Sequence, residues 1–150
     1  MTDRIIDRLS KEQLEAILDT LPLEFIFVDH KDCLQYYNKR EKRSREGQGR
    51  DDMLGKNIRL CHQPSSQPRT EQLLNNFKEG KKNEDEFWIG GKESTLLNRF
   101  FAVRDQSGKY LGCLEYVLDF SAVEKLAEKK AGAYRCNPPP ADSEKLEDEH

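Results

Sequence analysis

Long apolar runs are missing from this sequence. No stretch approaches the roughly 20 residues that a membrane span needs, and the N-terminus, Met1-Thr-Asp-Arg-Ile, carries no signal-peptide pattern. An excess of one charge sign is missing too: 25 Lys and Arg stand against 28 Asp and Glu, for a net charge of −3. With a pI near 5.7, nothing global directs the chain to nucleic acid. Cysteine is sparse, and Cys33, Cys61, Cys113 and Cys136 share no short paired spacing, so nothing marks a zinc site and a reduced state is expected. Hydrophobic residues make up only 35% of the chain, matched by 35% charged. They concentrate between positions 21 and 120, so one domain builds its core there and both ends are extensions. A cytoplasmic protein without membrane, metal or nucleic-acid partners is the expectation.

What is present is a run of short elements in a definite order. Ile5, Ile6, Leu9, Leu14, Ile17, Leu18 and Leu21 recur at helical spacing and predict an amphipathic helix over 3–20. Ser10 and Gln13 are spaced as a capping box that divides it, and Pro22 ends it. Leu23-Glu-Phe-Ile-Phe-Val-Asp29 and Cys33-Leu-Gln-Tyr-Tyr-Asn38 read as two strands about a turn over 30–32. Between 38 and 52 large apolar residues are absent, and Lys39, Arg40, Lys42, Arg43, Arg45 and Arg50 predict a solvated basic lid. A helix follows over 69–80, with Leu73, Leu74 and Phe77 as its buried stripe and Gly80 as its C-terminal cap. Glu86-Phe-Trp-Ile-Gly-Gly-Lys92 gives a strand and a Gly-Gly turn. Residues 104–119 read as a strand end, a polar turn and an apolar strand closing on Asp119. Ser121 and Glu124 predict a capped helix over 121–130, and 131–150, with Pro138-Pro-Pro140 and an acidic end, read as disordered.

The order strand, strand, short helices, long helix, three strands over 21–122 resembles that of a PAS domain, a small sensor and dimerisation module. Cys61-His62-x-Pro64-x-Ser66, Glu86-Phe-Trp-Ile89 and Arg99-x-Phe-Ala-Val-Arg-Asp105 are similar to PAS domains attached to hemerythrin-like proteins. Gly55-Lys-Asn-Ile-Arg-Leu-Cys-His62 echoes the motif of the flavin-binding photosensor branch. The reactive cysteine position of that motif falls on Ile58, which cannot form a thiol adduct. Glu86, Leu96 and Val117 stand where that branch grips the flavin ring with Asn or Gln, so flavin binding is not expected. Arg59 matches a phosphate-holding arginine of the same branch. The resemblance implies an α+β PAS fold: a five-stranded antiparallel sheet, with short helices and one long helix on one face and the N-terminal amphipathic helix on the other. The implied organisation is a dimerising cap over 1–20, the PAS domain over 21–122, an exit helix over 123–130 and an acidic tail over 131–150.

In the register the resemblance implies, Leu96, Asn98, Phe100 and Ala102 face a pocket together with Cys113, Glu115 and Val117. With His62, Glu86 and Trp88 they make the candidate ligand site His62, Glu86, Trp88, Asn98, Phe100, Cys113, Glu115 and Val117. Glu86, Asn98 and Glu115 suit a small polar or cationic ligand, or else a structural hydrogen-bond network. His62 is the one candidate haem ligand, and also a candidate cap or hydrogen-bond partner to a pocket carboxylate. The opposite face carries Leu97, Phe101, Leu114 and Tyr116, to be covered by Ile6, Leu9, Leu14 and Ile17 of its own or a second subunit's helix. The sequence thus predicts a non-enzymatic sensory module, a homodimer that binds a small molecule or a signalling partner and relays its state through the terminal helices. A haem-binding sensor is the alternative, and the chain is expected to act in trans or as one domain of a longer protein.

Overall fold

The computed structural model describes residues 4–38, 50–61, 64–90 and 92–136. It divides into two compact units, Met1–Leu118 and Asp119–His150. The first opens with a 3-10 turn, Ile5–Arg8, and a helix α1, Lys11–Thr20. Ser10 explains the break between them. Its hydroxyl accepts from the Gln13 amide at 3.0 Å while the Gln13 side chain accepts from the Ser10 amide at 3.0 Å, satisfying two of the donors a helix start leaves open. Among the described residues no residue of α1 is fully buried, though Leu14 and Leu18 of its apolar stripe are part-buried.

Five strands form one antiparallel sheet: β1 (Glu24–Asp29), β2 (Leu34–Tyr37), β3 (Glu84–Ile89), β4 (Leu96–Arg104) and β5 (Tyr110–Asp119), in the spatial order β2-β1-β5-β4-β3. The first and last strands in sequence therefore lie side by side at the centre, paired from Glu24–Val117 to Asp29–Gly112. Directly opposed residues share a face, which fixes which side chains point inward. Ile26, Val28, Phe100 and Cys113 lie on the inner face, and with Leu34 and Ile58 they pack against Leu73, Leu74 and Phe77 of α2, Gln67–Lys78. Burial of side chains of this kind contributes about 1.5–3 kcal/mol each.

α2 carries Pro68 in its first turn, where its missing amide would lack an acceptor anyway. It stops at Gly80, whose φ of +73° an L side chain rarely adopts, with the Lys81 and Lys82 amides donating to the Asn76 carbonyl. The Arg104 guanidinium donates to the Phe77 carbonyl at 2.6 Å, placing a cation on the negative end of the helix and tying it to β4. Asn38, wholly buried, closes the other side: its Oδ1 accepts from the Phe25 amide at 3.1 Å and its Nδ2 donates to the Leu23 carbonyl at 2.7 Å. It thereby fixes the chain where α1 hands over to β1.

In the second unit, α3 spans Phe120–Cys136 and so extends past the predicted end near 130. The predicted Ser121 cap is replaced by Asp119, whose Oδ1 accepts from the Ser121 amide at 3.0 Å and its hydroxyl at 2.7 Å. The basic segment read as a lid lies, from 39 to 49, outside the described residues, as do positions 137–150 of the predicted tail.

Candidate functional site

A polar pair interrupts the apolar inner face. Asn98 on β4 and Glu115 on β5 are 6% and 8% exposed, and the Asn98 Nδ2 donates to Glu115 Oε1 at 2.9 Å. Asn98 Oδ1 is buried and accepts from no group among the described residues. Cross-strand pairing extends the row in both directions, to Phe87 opposite Asn98 and to Ile26 opposite Glu115. Phe87 stacks on Phe100 with ring centroids 5.2 Å apart, and the Arg69 guanidinium, from the first turn of α2, sits 3.8 Å above Phe87. Cys113 is buried beside this row, and burial, then the Glu115 carboxylate, push its thiol well above the usual range. A protonated, inaccessible thiol is a packing group at neutral pH. Val117, part-buried, pairs with Glu24 at the end of β5.

Thus Asn98, Phe100, Cys113 and Glu115 come together as the sequence placed them. Glu86 and Trp88 do not. Asp85 opposes Phe100 and Phe87 opposes Asn98, so the inward residues of β3 are Asp85 and Phe87. Glu86 and Trp88 face the other way: Glu86 pairs with Arg99 at 3.3 Å, and Trp88 opposes Leu97 and is 54% exposed. The physical reason is that β3 is an edge strand reading Glu-Asp-Glu-Phe-Trp-Ile, with adjacent aromatics and acids on both faces. Its alternation does not choose a register, and a one-residue slip exchanges the faces. Phe87, not Trp88, is the β3 aromatic on the inner face. His62 lies outside the described residues.

Arg59 is not available for a ligand phosphate. It donates to Asp32 Oδ2 at 3.0 Å, to Asn57 Oδ1 at 3.1 Å, and through Nε and Nη2 to the Glu71 carboxylate. The Glu71 hydrogen bond is the first reason that its guanidinium is held charged more firmly than usual, and Asp32 adds to it. Asp32, 4% exposed, also accepts from Lys78 Nζ at 2.7 Å. One buried carboxylate therefore joins the β1–β2 turn to the segment before α2 and to the end of α2. Sequence reasoning missed this centre because Asp32 and Lys78 are 46 positions apart and no local motif links them. Among the described residues, no group of three or more His, Cys, Asp and Glu is arranged to hold a metal ion.

On the outer face, Phe101 and Tyr116 stack at 5.6 Å, with Arg99 lying over both rings and donating to the Tyr116 hydroxyl at 2.9 Å. Leu97 is buried and Leu114 part-buried. Tyr36, also outward, donates to Asp19 at the end of α1 at 3.5 Å. Of the helix residues meant to cover this face, Leu14 is part-buried while Ile6, Leu9 and Ile17 are exposed.

Comparison with known proteins bears on this arrangement. No curated protein matches the chain. A C-terminal domain from Streptococcus mutans is 31% identical, with a TM-score of 0.67 over 79% of this chain and 90% of that one. The PAS domain of BvgS from Bordetella pertussis superposes with a TM-score of 0.54 at 16% identity, over 81% of this chain and 96% of that one. A sensory box sensor histidine kinase from Vibrio cholerae gives 0.51 at 16% identity, over 71% and 87%. The last two establish likeness of fold only. A PAS domain family model matches residues 14–121, from the middle of α1 through all five strands to the first turn of α3. The chain belongs to the PAS domain family.

Proposed function

We propose that this PAS domain is a non-catalytic sensory module that binds a small molecule on its inner sheet face and relays occupancy to a signalling partner through its terminal helices and dimer packing. The observation that carries the reading is the buried Asn98–Glu115 pair, with an acceptor left open in an otherwise apolar core. Buried polar groups are costly when unpaired, so an unsatisfied one marks a place where something else completes the bonding. Support for relay comes from chain continuity: Glu115 lies on β5, and α3 begins at the residue after that strand ends. A ligand that alters β5 has a short covalent path to a helix, and any signal depends on a difference in affinity between two packings. Within the family we place the chain beside the PAS domains attached to hemerythrin-like proteins, on Glu86-Phe-Trp-Ile89 and Arg99-x-Phe-Ala-Val-Arg-Asp105. Solved PAS structures of similar fold include a histidine kinase, ThkA, in complex with its response regulator TrrA. A protein partner of the signalling class is proposed here on that likeness.

Native mass spectrometry with an absorption spectrum, on protein purified without added ligand, tests the reading. The expected result is a mass excess over the bare chain that Asn98→Leu removes. A Soret band would favour the haem reading instead. A bare chain with no mass excess would reject a copurifying small molecule and leave partner binding alone.

A further inference from the structure

We infer that the groove at the C-terminal end of α1 is filled by the N-terminal turn of a second copy, so that two α1 helices pair antiparallel; this deepens the proposed dimer packing and rests on that reading. Ala16, Ile17, Thr20, Leu21 and Pro22 line a shallow, mostly apolar groove of about 430 Å3. At the other end of the segment, the turn Ile5–Arg8 carries Ile5 and Ile6, 89% and 48% exposed, and Leu9 follows at 38%. The turn does not reach the groove of its own chain. Ser10 caps α1 and sets the turn off from it, and the ten residues of α1 make a rod about 15 Å long with turn and groove at opposite ends. A two-fold axis near Gln13 removes that separation. It sets Ile5 of each copy beside Leu21 of the other and Leu9 beside Ile17, and both grooves fill at once in a closed pair.

Charge decides the direction of the pairing. Arg4, Asp7, Arg8 and Lys11 give the first half of the segment an excess of cations, whereas the charges of the second half, Glu12, Glu15 and Asp19, are all acids. Parallel helices would set each half against its own kind, and like charges brought together oppose association. The antiparallel register sets Lys11 of one copy beside Glu15 of the other, twice per dimer, with Arg8 within a helical turn of the same carboxylate. Asp7, the one acid in the first half, is turned back on its own chain and accepts from the Arg4 amide at 2.9 Å. Arg8, Lys11 and Glu15 are all exposed. Exposed ion pairs add little affinity singly, but they choose between two orientations that bury the same apolar stripe.

Isotope-filtered NOE spectra of a mixture of labelled and unlabelled full chain test the register, because they report only methyl contacts between subunits. The expected contacts join Ile5 and Ile6 of one copy to Ile17 and Leu21 of the other. Charge reversal supplies a second readout, the dimer dissociation constant from sedimentation. Lys11→Glu and Glu15→Lys should each weaken the dimer about tenfold, and the two together in one chain should restore it. In a parallel dimer each reversal only exchanges one like pair for another, so neither single change would matter. The amide spectrum of the sheet checks that each variant folds. A dimer whose intersubunit contacts join Ile6 to Leu9 and Ile17 to Leu21, but never one end of the segment to the other, overturns the inference and leaves the dimer standing. A dimer whose dissociation constant is indifferent to both single reversals overturns it as well. A monomer at every concentration measured overturns both the inference and the dimer packing on which it rests.

Discussion

Asp32 is the residue on which the described part of the fold most depends electrostatically. It adopts a φ of +65°, a conformation that Asp and Asn accept more readily than other L residues, and it binds two cations from separate segments. Asp32→Asn keeps the backbone preference and removes the charge. The expected cost is about 1–3 kcal/mol in chemical denaturation, below that of a fully buried broken pair because Arg59 and Lys78 remain 33% exposed and can turn to water. Three positions earlier, Asp29 makes a pH prediction. Burial pushes its carboxyl up, but hydrogen bonds from the Cys33 amide, the Gln35 side chain and the Lys31 amide outweigh that and hold it below its ordinary value. A carboxylate with a folded pKa below its unfolded one adds stability above the unfolded value, about 4, and loses that contribution as pH falls through the folded one. Unfolding midpoints measured from pH 7 downward should therefore drop below pH 4, and Asp29→Asn should flatten that drop. An unchanged profile in the variant would show that other carboxylates set the acid limb. Neither Asp was legible as a site in the sequence, since their partners are turn amides and distant cations that no spacing rule predicts.

At the level of elements, the centre of the sheet depends on one glycine. A Cβ on Gly112 would sit 2.1 Å from the Val28 carbonyl oxygen and 2.6 Å from the Phe27 ring, where β5 meets β1. Both neighbours are in the paired strand, so relief requires the two central strands to part. Gly112→Ala is expected to cost about 1–3 kcal/mol and to speed hydrogen exchange across the β1–β5 pair ahead of β3–β4. Equal exchange in both pairs would mean that the strain spreads rather than localising. Strand faces elsewhere were readable to the degree that the sequence alternated. On β4 and β5 the inward set Asn98, Phe100, Cys113 and Glu115 came from the register that the family resemblance implies, since both faces of these strands are apolar in sequence. On β3 the neighbours Phe87 and Trp88 made both registers chemically plausible, and only pairing with β4 decides between them. The end of α3 was misplaced because the run Ala131-Gly-Ala-Tyr carries no stop signal before Pro138, and a single Gly inside a helix is tolerated at a cost of about 1 kcal/mol.

For the molecule as a whole, the issue is what covers the N-terminal segment. Ile5 is 89% exposed, Ile6 and Ile17 each 48%, Leu9 38% and Leu21 39%, all within the first 21 residues. Beside them Ala16, Ile17, Thr20, Leu21 and Pro22 line a shallow, mostly apolar groove. Isolated exposed apolar side chains need no explanation, but a cluster on one amphipathic segment does. The helix is capped at its N-terminus, yet among the described residues it has no fully buried side chain, only Leu14, Leu18 and Asp19 being part-buried. A second copy supplies a surface of matching character, since the same stripe on both helices is self-complementary about a two-fold axis. Light scattering should then give twice the chain mass of 17.5 kDa at micromolar concentration. Substituting Ile6→Asp together with Ile17→Asp should yield a monomer with an unchanged amide spectrum in the sheet, because neither side chain belongs to the core. A dimer that survives both changes would move the interface to the Phe101–Tyr116 face, and a wild-type monomer would remove dimer packing from the relay. In the proposed dimer, a ligand on the inner face would have a route outward: β5 lies beside β1, and Asn38 ties β1 to the end of α1. A change in β5 thus reaches α1 through the β5–β1 main-chain ladder and then the buried Asn38 side chain, whose Nδ2 donates to the Leu18 carbonyl at 3.4 Å.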